Sequence, residues 1–271
     1  MDLAVKILHV ISSVDPTGGG PIEAIKQISK SLVSQGHITE VACLDTPTAP
    51  WLKTFPFPVY ALGPGKFGYK YSKLFLPWLR QNATKYDCII VHGIWQYSSF
   101  ATWLALNSLY QQGSYIPYYV YTHGMLDPWF KRTYPLKHLK KWLYWFWSEY
   151  QVLRDAKAVL FTCEEERNLA RKSFWLYKCN EVVANLGTAT PAGDPQAQRQ
   201  IFLDRFPELH NKRLLLFLSR IHPKKGCDLL LEAFAKVIGS DNSLHLVMAG
   251  PDRIGWRADL QKQAKKLGIE Q

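Results

Sequence analysis

Short apolar runs alternate with amphipathic stretches from the first residues of the chain almost to its end. Residues 4–11 (AVKILHVI) form an apolar run of strand length, and residues 38–44 form a second. Further runs follow at 59–62, 88–91, 118–122, 158–162 and 181–184. Short runs of this kind, rich in β-branched and aromatic residues, predict buried strands. Between the first two, Ile22, Ile25, Ile28 and Leu32 recur at spacings of three and four, opposite Glu23, Lys26, Gln27 and Lys30. That pattern is one face of a helix. Strands that are apolar throughout, separated by helices, predict a parallel sheet covered on both faces.

The pattern breaks at residues 186–195 (LGTATPAGDP), whose composition is that of a loop. A short polar helix or turn extends to Lys212, and then the alternation restarts. The second block predicts a strand at 213–219, a helix at 226–238, a strand at 244–249 and a helix at 256–267. The expected organisation is two α/β domains, 1–190 and 191–271. Two strands cannot bury both faces of a doubly wound sheet and leave an open edge. The second domain is therefore expected to be incomplete in this chain, which would be a fragment or a shortened protein.

Composition narrows the class. Over 271 residues, 47% are hydrophobic and 20% charged, which excludes a disordered chain. No apolar run approaches the roughly 20 residues a bilayer span needs. Asp2 stands where a signal peptide carries cations, so a cytoplasmic protein is expected. Cys43, Cys88, Cys163, Cys179 and Cys227 are scattered and form no Cys-x-x-Cys pair, which fits buried free thiols. The net charge of +11 is spread over both blocks and favours anionic partners: phosphorylated ligands, an anionic membrane or nucleic acid.

Four segments carry candidate chemistry. Asp15-Pro-Thr-Gly-Gly-Gly-Pro21 lies between the first strand and the first helix. Gly18, Gly19 and Gly20 either form a flexible turn or let the backbone approach a phosphate at the helix N-terminus. The loop is not Gly-x-Gly-x-x-Gly, but Asp45 ends the second strand, where a dinucleotide-binding fold places its ribose carboxylate. An NAD(P)-dependent sugar-nucleotide enzyme is thus one alternative. Ser219-Arg-Ile-His-Pro-Lys-Lys-Gly226 follows a strongly apolar strand and opens a helix, presenting Arg220, Lys224 and Lys225 at a strand's carboxyl end. A diphosphate is bound by a forked guanidinium, an ammonium and backbone N–H groups together. The alternative is a solvated basic turn.

His92 and His123 each precede a glycine just after a strand, at the sheet edge where open parallel sheets bind ligands. Either could donate a hydrogen bond to a sugar or an acceptor oxygen. No histidine or cysteine spacing suggests zinc. No Asp-x-Asp pair occurs, so a metal-held diphosphate is not expected. Glu164-Glu-Glu166 reads as helix N-terminal charge. Finally, Leu136, Leu139, Leu143, Phe146, Tyr150 and Leu153 share one face of a helix expected between residues 129 and 157. Lys137, Lys140 and Lys141 are interleaved with Trp142, Trp145 and Trp147. This segment is a core helix with a solvated basic face, a contact for an anionic membrane surface, or a stacking platform for single-stranded nucleic acid.

Together the glycine loop, His123-Gly-Met-Leu-Asp-Pro-Trp129, the Asn185-Leu-Gly turn, the 219–226 segment and Leu246-Val-Met-Ala-Gly-Pro-Asp252 resemble the family 4, or group 1, glycosyltransferases. The likeness spans nearly the whole chain and is most specific at 219–252. It implies a GT-B fold, with two Rossmann-like domains facing across a cleft, and metal-independent, retaining transfer from a nucleotide-sugar donor without a cofactor. It implies donor-diphosphate contacts from Arg220, Lys225 and Gly18–Gly20, and a nucleotide-side turn at Gly250 and Pro251. His123 matches a cleft histidine contacting sugar or acceptor, with His92 assigned to the acceptor side. The segment after His123 resembles the branch that builds bacterial surface polysaccharides on lipid-linked or polysaccharide acceptors, which would place the enzyme at the inner membrane face. The family's pair of glutamates seven residues apart falls beyond position 271, so a catalytically inactive binding module is the competing expectation. No nucleic-acid partner is expected.

Overall fold

The computed structural model describes residues 3–239, 241 and 243–270. The chain forms two compact units, Met1–Ala189 and Thr190–Gln271.

The first unit runs β1 (Lys6–Ile11), α1 (Gly20–Ser34), β2 (Ile38–Cys43), β3 (Val59–Ala61), α2 (Phe75–Asn82), β4 (Cys88–His92), α3 (Tyr97–Gln111), β5 (Tyr118–Tyr121), α4 (Trp129–Thr133), α5 (Pro135–Trp145), α6 (Glu149–Arg154), β6 (Ala158–Phe161), α7 (Glu164–Ala170) and β7 (Glu181–Val183). Its seven strands form one sheet in the order β3-β2-β1-β4-β5-β6-β7, with every adjacent pair parallel. The order reverses between β1 and β4, the switch point at which such sheets leave a crevice at their carboxyl ends. The pairing Ile11↔His92 puts the ends of these two strands side by side there.

The apolar strands are buried on both faces, as their lack of alternation predicts. On one face Leu8, Val10, Ile89, Val91 and Val120 pack against Phe75, Leu79, Ala101 and Ala105 of α2 and α3. On the other, Ile11, Val41 and Cys43 pack against Ile22 and Ile25 of α1. Of the five cysteines, all free, only Cys43 and Cys227 are buried; Cys163 is exposed at the start of α7, contrary to expectation.

The helix expected over 129–157 is three helices. Tyr134 adopts a non-helical conformation before Pro135, and the chain turns again between Trp145 and Glu149. Each break resets the helical phase, so one stripe in sequence becomes two faces in space. Tyr150 and Leu153 enter the core, while Leu136, Leu139, Leu143 and Phe146 are exposed. The core residue of α5 is Trp145, 1% exposed. It stacks on Phe174 at 4.0 Å between ring centroids, and its indole N–H donates to the Leu176 carbonyl at 2.7 Å.

Just beyond it, Glu149 is a fully buried carboxylic acid within 3.3 Å of the Ser99 hydroxyl. Burial pushes its pKa up from 4.5 to about 7, against smaller opposing effects of the Trp95 amide, Ser99, Ser148 and Lys141. A folded-state value above the unfolded one means that folding is penalised once the unfolded carboxyl ionises. Stability should therefore fall as pH rises from about 4.5 to 7 and level off above it, by ~3 kcal/mol in all. Urea melts of the wild type and Glu149→Gln across that window check this: the variant should lack this decline.

The second unit comprises α8 (Pro195–Arg205), β8 (Arg213–Leu218), α9 (Cys227–Ile238), β9 (Leu244–Ala249) and α10 (Arg257–Lys266). β8 and β9 pair in parallel as a two-stranded sheet. Ile221, Cys227, Leu231 and Leu260 form its core with Phe217, Leu246 and Met248. Leu216 and Leu218 of β8 remain exposed.

Candidate active-site elements

At the carboxyl end of β1 the backbone makes a 3-10 turn at Pro16–Gly18, capped by Asp15, whose carboxylate accepts from the Thr17 N–H at 2.9 Å. The N–H groups of Gly18 and Gly19 donate to the carbonyls of Asp15 and Pro16. The expected row of free amides is thus reduced: among the described residues only Gly20 keeps an unbonded N–H in this glycine run. Gly19 has φ 78°, which favours glycine, and α1 begins at Gly20 with Pro21 in its first turn. The loop is exposed, so it offers close backbone approach more than a ring of donors. Asp45 serves this loop internally. Its carboxylate accepts from the Ser13 hydroxyl at 2.7 Å and the Val14 N–H at 2.8 Å. Each oxygen of this carboxylate thus already has a structural bond within the loop, and the side chain is buried.

The turns after β4 and β5 hold strained backbone. Trp95 has φ 72° and His123 φ 49°, beside Gly93 and Gly124. Side chains rarely adopt this region, and when they do they cluster at functional sites. One carboxylate holds the second turn. Glu166 accepts from the Thr122 hydroxyl at 2.7 Å, the Gly124 N–H at 2.6 Å, the Thr162 N–H at 2.7 Å and the Thr162 hydroxyl at 2.6 Å. Burial raises its pKa, but these bonds outweigh it and hold the carboxyl below its usual range. Glu166 is thus more than helix-end charge; its place three residues after the Cys163 cap is the sequence signal for it.

Three histidine rings line up behind this turn. His9 Nδ1 lies 2.9 Å from His92 Nε2, and His92 Nδ1 lies 3.1 Å from His123 Nε2. β4 runs one residue further than the apolar run predicts, so His92 is inside the sheet and 2% exposed. An acceptor-side role for His92 is therefore corrected: it stands behind His123, which is half-buried. Burial lowers the pKa of all three, to about 4 for His9 and His123 and well below 6.5 for His92, so all are neutral at pH 7.

In the second unit, Arg220 and Lys225 are exposed at the carboxyl end of β8, and no carboxylate pairs with either among the described residues. A 3-10 turn at Pro223–Lys225 is capped by His222, whose Nδ1 accepts from the Lys224 N–H at 3.1 Å, and Gly226 at φ 66° starts α9. The Ile221 N–H donates to the Pro251 carbonyl at 3.0 Å, tying this loop to the turn after β9. A Cβ on Gly250 would land on the Ser219 carbonyl oxygen, so only glycine allows the two turns to meet. Asp252 accepts from the N–H groups of Ile254, Trp256 and Arg257, fixing the start of α10.

Of the three lysines on α5, Lys137 and Lys140 are exposed. Lys141 is half-buried, its ammonium 4.4 Å from the Trp95 ring centroid and 5.6 Å from that of Phe130. It therefore does not belong to an outer basic surface. Among the described residues no helix is long and apolar enough to cross a membrane, and no group of three His, Cys, Asp or Glu side chains could hold a metal ion.

The glycosyl transferase 4-like domain family matches residues 19–185, and the glycosyl transferases group 1 family matches residues 199–271. The seven-stranded parallel sheet with its switch point between β1 and β4 is that of a doubly wound α/β domain, and the family matches make it part of a glycosyltransferase. The chain belongs to the glycosyl transferase 4-like family, with a group 1 segment following. A search of curated proteins finds no match. Among solved structures, HepE of Anabaena in complex with UDP and glucose is similar at a TM-score of 0.63 and 17% identity, over 98% of this chain and 67% of that one. A glycosyltransferase of Rickettsia africae is similar at 0.64 and 16%, over 98% and 66%. The chain thus spans about two thirds of the length of these neighbours.

Proposed function

We propose that the protein moves a sugar from a nucleotide-sugar donor to a lipid-linked or polysaccharide acceptor, with retention and without a metal ion. The observation that carries this is the unpaired placement of Arg220 and Lys225 beside the Gly226 start of α9. Departure of a nucleoside diphosphate builds negative charge on its phosphates while the sugar becomes cation-like. The Arg220 fork and the Lys225 ammonium supply the compensating charge that a metal ion supplies elsewhere. The Gly250–Pro251 turn, bonded to the same loop, serves the nucleotide. In the first unit the Gly18–Gly20 loop approaches donor sugar or phosphate, and His123, neutral and held by Glu166, hydrogen-bonds sugar or acceptor. HepE, similar in fold, is seen with UDP and glucose, which favours a UDP-sugar as the first donor to test.

The test is transfer from UDP-sugars to an oligosaccharide or lipid-linked acceptor, with the product's anomeric configuration read by NMR. Retention, unaffected by EDTA, is expected. Inversion or loss of turnover with EDTA would overturn the mechanism, and UDP binding without any turnover would favour the inactive binding module.

We place this activity at an anionic membrane surface. Trp142, Leu143, Phe146 and Trp147 are exposed at the carboxyl end of α5 and just beyond it, on the segment that carries exposed Lys137 and Lys140. Interfacial aromatics beside cations are the chemistry of a helix lying in a lipid headgroup layer.

A further inference from the structure

We infer that His92 and His9 are positioning residues that hold His123 in its Nδ1–H tautomer, so that His123 presents a hydrogen-bond donor rather than a base. The inference rests on the role proposed above for His123 and specifies its chemistry.

The argument is one of donor and acceptor arithmetic. A neutral imidazole has one N–H and one lone pair, and its partners decide which nitrogen carries the proton. Each of the two contacts needs one donor and one acceptor. Two consistent arrangements exist. In one, His123 Nε2–H donates to His92, His92 Nε2–H donates to His9, and the proton on His9 Nε2 has no acceptor. In the other, every bond is reversed: His9 Nδ1–H donates to His92 Nε2, and His92 Nδ1–H donates to His123 Nε2. His9 Nε2 decides between them, because it is buried and has no partner among the described residues. An orphaned buried N–H is rarer and costlier than an under-used lone pair. The second arrangement leaves only a lone pair on His9 Nε2 and places the remaining proton on His123 Nδ1.

The rings are built to keep this order. His9 lies in the middle of β1 and His92 ends β4, so both are fixed by the sheet ladder. His92 stacks on His123 at 5.3 Å and on Tyr121 at 5.6 Å. His123 is fixed by its own turn, through the Glu166 bonds to Thr122 and Gly124. Burial keeps the rings neutral, so the row stays a tautomeric chain. Glu166 is the charged group bearing on His123, and its carboxylate is engaged by four hydrogen bonds of its own. Sugar hydroxyls and phosphate oxygens accept hydrogen bonds, and an N–H held in this way meets them without reorganising.

The experiment is 15N NMR of the whole chain labelled at histidine, at pH 7 and without donor sugar. We expect a pyrrole-type Nδ1 and a pyridine-type Nε2 for His123, the tautomer that free histidine disfavours in water. His92→Asn keeps an amide donor near the Nδ1 position and should preserve that signature, whereas His92→Ala should lose it. His9→Asn, which keeps a donor toward His92 and deletes the orphaned nitrogen, should also preserve it. Circular dichroism melts confirm that each variant is folded, and the wild-type signal stands even if one variant fails to fold. An Nε2–H or mixed His123 in the wild type overturns the inference. Because the readout needs no turnover, failure of sugar transfer leaves this result intact and counts only against the proposed function.

Discussion

Arg220→Ala and Lys225→Ala should each weaken UDP binding roughly ten- to hundred-fold. Each removes a charged hydrogen bond to a diphosphate, worth roughly 1.5–3 kcal/mol, and every ~1.4 kcal/mol is a factor of ten in Kd. The two effects need not add, since both groups meet the same phosphates. Arg220→Lys separates charge from geometry: it keeps the cation but not the planar fork, and should recover only part of the loss. Calorimetric titration reads all of these. Neither residue has an ion-pair partner to lose among the described residues, and both are exposed, so the folded state should be untouched. Unchanged affinity in both alanine variants would remove the diphosphate assignment.

Charge reversal on α5 is the second large effect. Lys137→Glu with Lys140→Glu changes the local charge by four units. At about 1 kcal/mol per charge near an anionic surface, partitioning onto phosphatidylserine vesicles should drop roughly a thousand-fold. Cosedimentation measures it. Lys53→Glu, on an exposed lysine far along the chain from α5, is the control and should bind nearly as well as the wild type. Equal binding of the wild type to neutral and anionic vesicles would overturn the membrane placement. Lys141 is left out of this test because its ammonium packs on Trp95, so its replacement would disturb the interior.

Much of the fold was legible because apolar periodicity and burial coincide in a covered parallel sheet. The seven apolar runs became the seven strands of the first unit, and the Ile22–Ile25 face became the buried face of α1. The 129–157 segment failed for a physical reason. A stripe at spacings of three and four records that a helix has an apolar face, but not what that face meets. Leu139 and Leu143 look the same in sequence whether they meet protein, lipid or water. Trp145, the actual anchor, lies off the stripe because the chain turns directly after it.

The site divided along a similar line. The positions of the turns were readable, since the glycine run and the basic 219–226 segment each stand between a strand and a helix. Features made by distant side chains were not. His9, His92 and His123 come from three strands and their ends, and only the register Ile11↔His92↔Tyr121 reveals that their rings align. His92 was misplaced because one extra residue of pairing moved it from loop to strand. Glu149 and Glu166 look like ordinary helix-end acids, yet one is a neutral-range buried acid and the other a four-bond acceptor.

The Glu166 carboxylate also constrains how this scaffold could be altered. Two successive strand-to-helix junctions share it as a single rivet, so neither can be redesigned alone. Grafting a different 162–166 segment from a relative would release Gly124 as well as Thr162, and with it the turn that carries His123. An engineer who wishes to exchange one junction must transplant both.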